Sequence, residues 1–195
     1  MNDKVTEIIF LLDRSGSMSG LENDTIGGFN AMIQKQLRME GKTTVTAVLF
    51  DHEYDILWNG VDAEEAVLTS QNYVVRGSTA LLDAVGKTIV DVNRRHAQAS
   101  LEDRPDTVLV VITTDGMENA SIEFNYEKVQ SLIKQQKQMH DWHFIFLGAN
   151  IDVAAEASRM GIEEEDAHLF EASADGMITM YEQVNEVMME KRSRR

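Results

Sequence analysis

The sequence predicts an α/β fold: a mostly parallel sheet of six strands, helices on both faces, and one antiparallel strand at an edge. Three observations carry that prediction. Short apolar runs recur along the chain, separated by longer segments of helical period. Three of the runs, EIIFLL (Glu7 to Leu12), VLVVI within Thr107 to Thr113, and HFIFL (His143 to Leu147), are almost wholly apolar, as central strands buried on both faces must be. Two further runs are joined by only Asp51 to Tyr54, too short for a parallel crossover, so they pair as an antiparallel hairpin at one edge.

Glu7 to Leu12 is the first strand, and Ile26, Phe29, Ile33 and Leu37 then recur at helical spacing. Thr44 to Phe50 (TVTAVLF) and Asp55 to Trp58 (DILW) form the hairpin, and Asn59-Gly60 is expected to end it in a turn. A helix over Ala80 to Asn93 follows from Leu82, Val85, Ile89 and Val92, and Thr107 to Thr113 is the fourth strand. Val129 and Ile133, with Lys137 at the solvent edge, mark another amphipathic helix, with Asn125 as its N-cap. After the strand His143 to Leu147, Ala154 to Met160 is a short helix capped by Asp152 and stopped by Gly161. His168 to Phe170 is a weaker strand, and Asp175 to Lys191 is a terminal helix with Asp175 as its cap. Its Met177, Met180, Met188 and Met189 suit core or gap-filling use. The charge blocks Glu163 to Asp166 and Lys191 to Arg195 are expected on solvated surface. No repeat or linker divides residues 1–195, so a single domain is expected.

Composition excludes several classes of function. The 195 residues hold no cysteine, so neither a disulfide framework nor a thiolate metal site nor a cysteine nucleophile is possible. Eighteen Lys and Arg against 33 Asp and Glu give a net charge of −15, a field that repels phosphate backbones and anionic membrane surfaces. Neither nucleic acid nor membrane is expected as a partner. The first apolar run, Ile8 to Leu12, is too short for a signal-peptide core, and the chain reads as soluble and cytoplasmic. The five histidines are scattered, which argues against zinc.

The chemistry concentrates where strands end. The first strand runs directly into DRSGSMSG, placing Asp13, Ser15 and Ser17 at its carboxyl end, where open α/β sheets build their sites. Helix capping and turn formation could account for these residues alone. A second central strand, however, ends as Thr113-Thr114-Asp115-Gly116 and delivers another carboxylate to the same rim. Arg76-Gly77-Ser78-Thr79 adds a hydroxyl just before a helix. Carboxylates and hydroxyls with no clustered His or Cys make a hard-cation site, and so few carboxylates leave room for waters, which suits Mg²⁺ or Mn²⁺ better than Ca²⁺. Glu118 reads as a solvated loop carboxylate, and Arg14 as the partner of a surface carboxylate.

DRSGSMSG, GST before a helix and TTDG after an apolar strand together resemble the metal-ion-dependent adhesion site of a von Willebrand factor type A (VWA) domain. The resemblance covers nearly the whole chain from Glu7 onward. It implies a doubly wound, Rossmann-like sheet with an order like 3-2-1-4-5-6 and one antiparallel edge strand. It also implies that Ser15 and Ser17 are direct metal ligands, that Thr79 coordinates directly or through water, and that Asp13 and Asp115 hold the ion's waters or bind it. In this family the last coordination position is commonly filled by a Glu or Asp of a binding partner. Without cysteine or an inserted adhesion module, the chain is similar to stand-alone intracellular members, mostly bacterial. HFIFLGANIDVAAEASRMGI followed by HLFEASADG is similar to a group of small bacterial members.

The function expected on this basis is metal-dependent binding of a protein that offers an acidic side chain. The alternative is a Mg²⁺-dependent phosphohydrolase or phosphotransferase using Asp13 as nucleophile. Such a site sets a second acid beside the nucleophile and a lysine at a neighbouring strand end, whereas here Ser15, Thr114 and Asp115 stand in those places. Nucleotide binding is disfavoured because neither a G-x-x-x-x-G-K-[ST] loop nor a G-x-G-x-x-G turn is present.

Overall fold

The computed structural model describes residues 4–193. Six strands form one sheet: β1 (Val5–Asp13), β2 (Lys42–Phe50), β3 (Tyr54–Asp62), β4 (Thr107–Thr114), β5 (His143–Gly148) and β6 (Ala167–Leu169). Between and after them run α1 (Glu22–Gln36), α2 (Leu81–Gln98), α3 (Tyr126–His140), α4 (Val153–Met160) and α5 (Ala174–Ser193). The spatial order is β3-β2-β1-β4-β5-β6, parallel throughout except for β3, which pairs antiparallel with β2 at the edge.

Strand alternation divides the core into two layers. Ile8, Phe10 and Leu12 of β1 pack with Phe29 and Ile33 of α1 and with Met177, Met180, Val184 and Met188 of α5. Ile9 and Leu11 face the opposite way, into Val85, Ile89 and Val92 of α2, Ile133 of α3 and Ala157 of α4. Every residue of β4 is buried, as the unbroken apolar run requires. Asn125 and Asp152 cap α3 and α4 by accepting from Lys128 N and Ala155 N, and Gly161 ends α4 in the left-handed region at φ 82°. No helix of the described residues is long and apolar enough to cross a membrane.

Some expectations are corrected. Asn59-Gly60 does not end the hairpin; β3 continues through it to Asp62. Gly60, at φ 70°, sits where the β2–β3 register shifts, and its N–H donates to Thr46 Oγ1 at 2.9 Å, so the glycine accommodates a bulge rather than a turn. Asp175 lies in the first turn of α5, but Ser173 is the residue that caps it, its Oγ accepting from Gly176 N at 3.1 Å. The two charge blocks are not simply solvated. Lys191 Nζ reaches Asp166 Oδ1 at 2.8 Å and Arg192 Nη1 donates to Gln36 Oε1 at 2.8 Å, fastening the end of α5 to the body of the domain. Arg194 and Arg195 of the basic block lie outside the described residues. Met189 is exposed, while Met177, Met180 and Met188 are core residues.

Candidate metal centre

Parallel register brings the two carboxylates together. Leu12 aligns with Thr113, so Asp13 and Asp115 leave adjacent central strands at the same rim. Asp13 is 1% exposed. Its Oδ1 accepts from Ser15 N at 2.7 Å and its Oδ2 from Thr114 Oγ1 at 2.6 Å, while its backbone carbonyl accepts from Tyr73 Oη at 2.6 Å. Burial pushes the Asp13 carboxyl up to about 6, against the pull of the Ser15 and Thr114 hydrogen bonds, and the Asp115 charge adds to the push. Burial likewise raises the Asp115 carboxyl, with the Ser17 hydroxyl opposing.

The hydroxyls converge beside these carboxylates. A single 3-10 turn over Gly16–Met18 follows β1, with Ser15 Oγ 3.2 Å from Ser17 Oγ and Ser17 Oγ donating to Asp115 Oδ1. A Cβ placed on Gly116 would stand 3.1 Å from Thr79 Oγ1, 3.3 Å from Ser17 Oγ and 3.8 Å from Ser15 Oγ, so three hydroxyls surround one small space that only glycine leaves open. Asp13, Ser15, Ser17, Thr79 and Asp115, drawn from three separate loops, are thus all brought to one locus. Among the described residues no group of three or more histidines, aspartates and glutamates could hold a metal, so an ion here would rest on two carboxylates and hydroxyl oxygens. That donor set, with a buried carboxylate that has no cationic partner among the described residues, fits a hard divalent cation.

Backbone bonds set the loops. Gly16 N donates to Gly77 O at 3.1 Å, Arg76 N to Arg14 O at 2.7 Å, and Ala80 N to Asp51 O at 2.8 Å. Arg14 turns away from Asp13 and Asp115, as its alternate position between Asp13 and Ser15 implies, and pairs with Asp51 at 2.9 Å and Asp55 at 2.5 Å. Asp51 is fully buried rather than a surface acid, and Arg76 Nε also reaches it, at 3.0 Å. Burial pushes the Asp51 carboxyl up, but the Glu53 N–H, Arg14 and Arg76 outweigh it and hold the group below its usual range.

Sequence reasoning missed several contributors. Glu118 is neither a solvated carboxylate nor close to the ion position by virtue of a free side chain; its oxygens accept from Ala120 N, Ser121 N, Ser121 Oγ and Leu82 N. Nothing in the local sequence announces a partner as distant along the chain as Leu82. Thr114 was legible in principle, because it stands beside Asp13 once the parallel register is drawn. Tyr73 lies in a loop with no periodicity to mark it.

No family model matches the chain, and no curated protein matches it. Solved structures do. Proximal thread matrix protein 1 from the mussel byssus superposes with a TM-score of 0.63 at 15% identity, over 95% of this chain and 46% of that one. A structure of the same mussel protein, described as having a zinc-occupied MIDAS motif, gives 0.61 at 15% identity, over 95% and 46%. Manganese-loaded TRAP protein of Plasmodium vivax gives 0.61 at 15% identity, over 92% of this chain and 73% of that one. The chain therefore spans about half the length of the mussel protein. Identity at this level speaks to architecture alone: the chain has a VWA-like fold, a six-stranded, mostly parallel sheet with one antiparallel edge strand and helices around it.

Proposed function

We propose that this domain is a metal-dependent protein-binding module, in which Asp13, Ser15, Ser17, Thr79 and Asp115 hold a Mg²⁺ or Mn²⁺ ion and a Glu or Asp of a partner protein completes its coordination. Ca²⁺, which prefers more carboxylate oxygens, suits the site less. The observation that carries this reading is Asp13: a buried carboxylate beside a second one, met among the described residues by neutral donors, with three hydroxyls facing the space next to it. A divalent ion supplies the missing positive charge and reverses the repulsion that a partner's acid would otherwise meet on a chain of net charge −15. Neighbours described as zinc-occupied and manganese-loaded support the metal reading, and the lack of cysteine supports a cytoplasmic setting.

The nucleophile reading of Asp13 gains nothing from the geometry. Its oxygens accept from Ser15 N and Thr114 Oγ1, and among the described residues no lysine of the kind a phosphoaspartyl site needs pairs with it, so we read the domain as a binder rather than an enzyme. The test is thermal unfolding of chelator-stripped protein with and without millimolar Mg²⁺ or Mn²⁺, for wild type, Asp13→Ala and Ser15→Ala. An ion at about a hundred times its Kd adds roughly 2.7 kcal/mol, a rise of about 5 to 10 °C in a domain of this size. That rise is expected in wild type and in neither variant; an equal rise in all three would reduce the effect to loose binding on an acidic surface. Partner capture from the source cell should then depend on the metal and on Asp13.

A further inference from the structure

The loop between β4 and α3 is tied along its length to the beginning of α2. Glu118 Oε1 accepts from Ala120 N at 3.0 Å and Ser121 N at 2.8 Å, and its Oε2 accepts from Leu82 N at 2.9 Å and Ser121 Oγ at 2.8 Å. Leu82 is the second residue of α2, whose own cap residue, Ala80, has no side chain to offer its free N–H groups. Glu118 does that work from another loop. Asp83 returns the attachment, its carboxylate accepting from Ile122, Glu123 and Phe124 N at 3.1, 2.9 and 2.8 Å.

Asn119 ties the same loop to Thr79. Its Oδ1 accepts from Thr79 N at 3.0 Å, and Thr79 O in turn accepts from Asn119 N at 3.0 Å and Ala120 N at 3.2 Å. Both backbone polar groups of Thr79 are therefore satisfied by the loop that carries Asp115, and its hydroxyl is presented to the space beside Gly116.

We propose that Asn119 and Glu118 are positioning residues of the metal centre: they latch the Asp115 loop to Thr79 and to the first turn of α2, so that hydroxyl and carboxylate are set facing each other before an ion arrives. The proposal rests on the metal-binding reading of the site. Its physical basis is pre-organisation, because a loop already ordered by its own hydrogen bonds need not be ordered at the expense of ion binding. Asn119 separates this role from mere helix capping, since it touches Thr79 and not α2.

The experiment combines amide hydrogen exchange on chelated protein with Mn²⁺ titration followed by electron paramagnetic resonance, for wild type, Asn119→Ala, Asn119→Asp and Glu118→Ala. In metal-free wild type the Thr79 and Leu82 amides should be protected. Asn119→Ala should speed exchange at Thr79 at least tenfold and raise the Mn²⁺ Kd at least fivefold while moving the metal-free Tm by no more than about 2 °C. Glu118→Ala should release Leu82 and weaken Mn²⁺ in the same way, with a larger fall in Tm. Asn119→Asp keeps an acceptor oxygen in place and should restore both Thr79 protection and affinity. An unprotected Thr79 in metal-free wild type, an unchanged Kd in Asn119→Ala, or affinity restored by Asn119→Asp without protection of Thr79 would each overturn the latch. Wild type that takes up no more Mn²⁺ than Asp13→Ala would overturn the metal reading itself and the latch with it.

Discussion

Strand β1 carries a buried carboxylate at each end, and the fold treats the two in opposite ways. Glu7, near the start, and Asp13, at the end, are each 1% exposed. Glu7 is met by the Arg95 guanidinium, by His96 Nε2 at 2.6 Å and by Thr46 Oγ1 at 2.6 Å. Burial pushes its carboxyl up, but His96, Arg95 and Thr46 together outweigh burial and leave it below the usual carboxylate range. Asp13 is met by an amide and a hydroxyl, and stands at about 6. One end is neutralised from within the chain, while the other is left with negative charge that an external cation can balance. This contrast teaches more than a motif does, because both carboxylates have both oxygens hydrogen-bonded and only the charge balance differs.

The sharpest test of the contrast is that removing the two acids should change stability in opposite directions. Glu7→Ala takes the buried carboxylate away from Arg95, His96 and Thr46 and should cost about 3 kcal/mol, read as a fall in the denaturant midpoint at unchanged slope. Asp13→Asn, measured at pH 7.5 in chelator, removes a buried charge while keeping an acceptor for Ser15 N, and should stabilise the metal-free protein by about 2 kcal/mol. A destabilised Asp13→Asn would mean that the carboxylate is balanced by the protein after all, and the contrast would collapse. The same variant should lose its thermal response to Mg²⁺.

Gly116→Ala tests the site's space rather than its charge. The new methyl would crowd Thr79 Oγ1 and Ser17 Oγ, so the Mg²⁺ Kd measured by calorimetry should rise about tenfold, roughly 1.4 kcal/mol, with a smaller change in metal-free stability.

The smallest expected effect is a pH dependence of stability. Asp13 has a folded value of about 6 against an ordinary value of 3.8, so between these values the native state holds a proton that the unfolded chain has released. Metal-free stability should therefore rise as pH falls from 7.5 to 5, by about 1 kcal/mol from this group. Glu7 does not oppose this in that window. Its folded value lies below 4.5, so its contribution is fully present above that pH and is lost only as pH falls through the folded value. Saturating Mg²⁺ should reverse the trend by occupying the place of the proton. Denaturant titrations at several pH values, with and without ion, read both slopes.

The strands were legible because burial on both faces demands uninterrupted apolar runs, which β1, β4 and β5 display. The hairpin's real extent was hidden because a glycine at positive φ serves a bulge as readily as a turn, and only pairing with β2 separates the two at Gly60. Asp13, Ser15, Ser17 and Asp115 were legible as candidates because they follow strand ends, and Thr79 because it stands just before a helix. Glu118 and Asn119 were not, since their partners on α2 and Thr79 are distant in sequence and a lone acid in a loop reads the same whether it is solvated or capping a remote helix.

By itself the sequence determined the fold class, the order of elements, the absence of thiol chemistry and the residue types gathered at the strand ends, because periodicity, composition and position along a strand are local properties. Only the tertiary structure decided which charges are balanced. Arg95 and His96 reach Glu7, and Arg14 and Arg76 reach Asp51, while among the described residues Asp13 and Asp115 are left to neutral donors. Such pairing is set by three-dimensional packing of groups far apart in the chain, and Coulomb interactions depend on distance in space, which spacing in sequence does not encode.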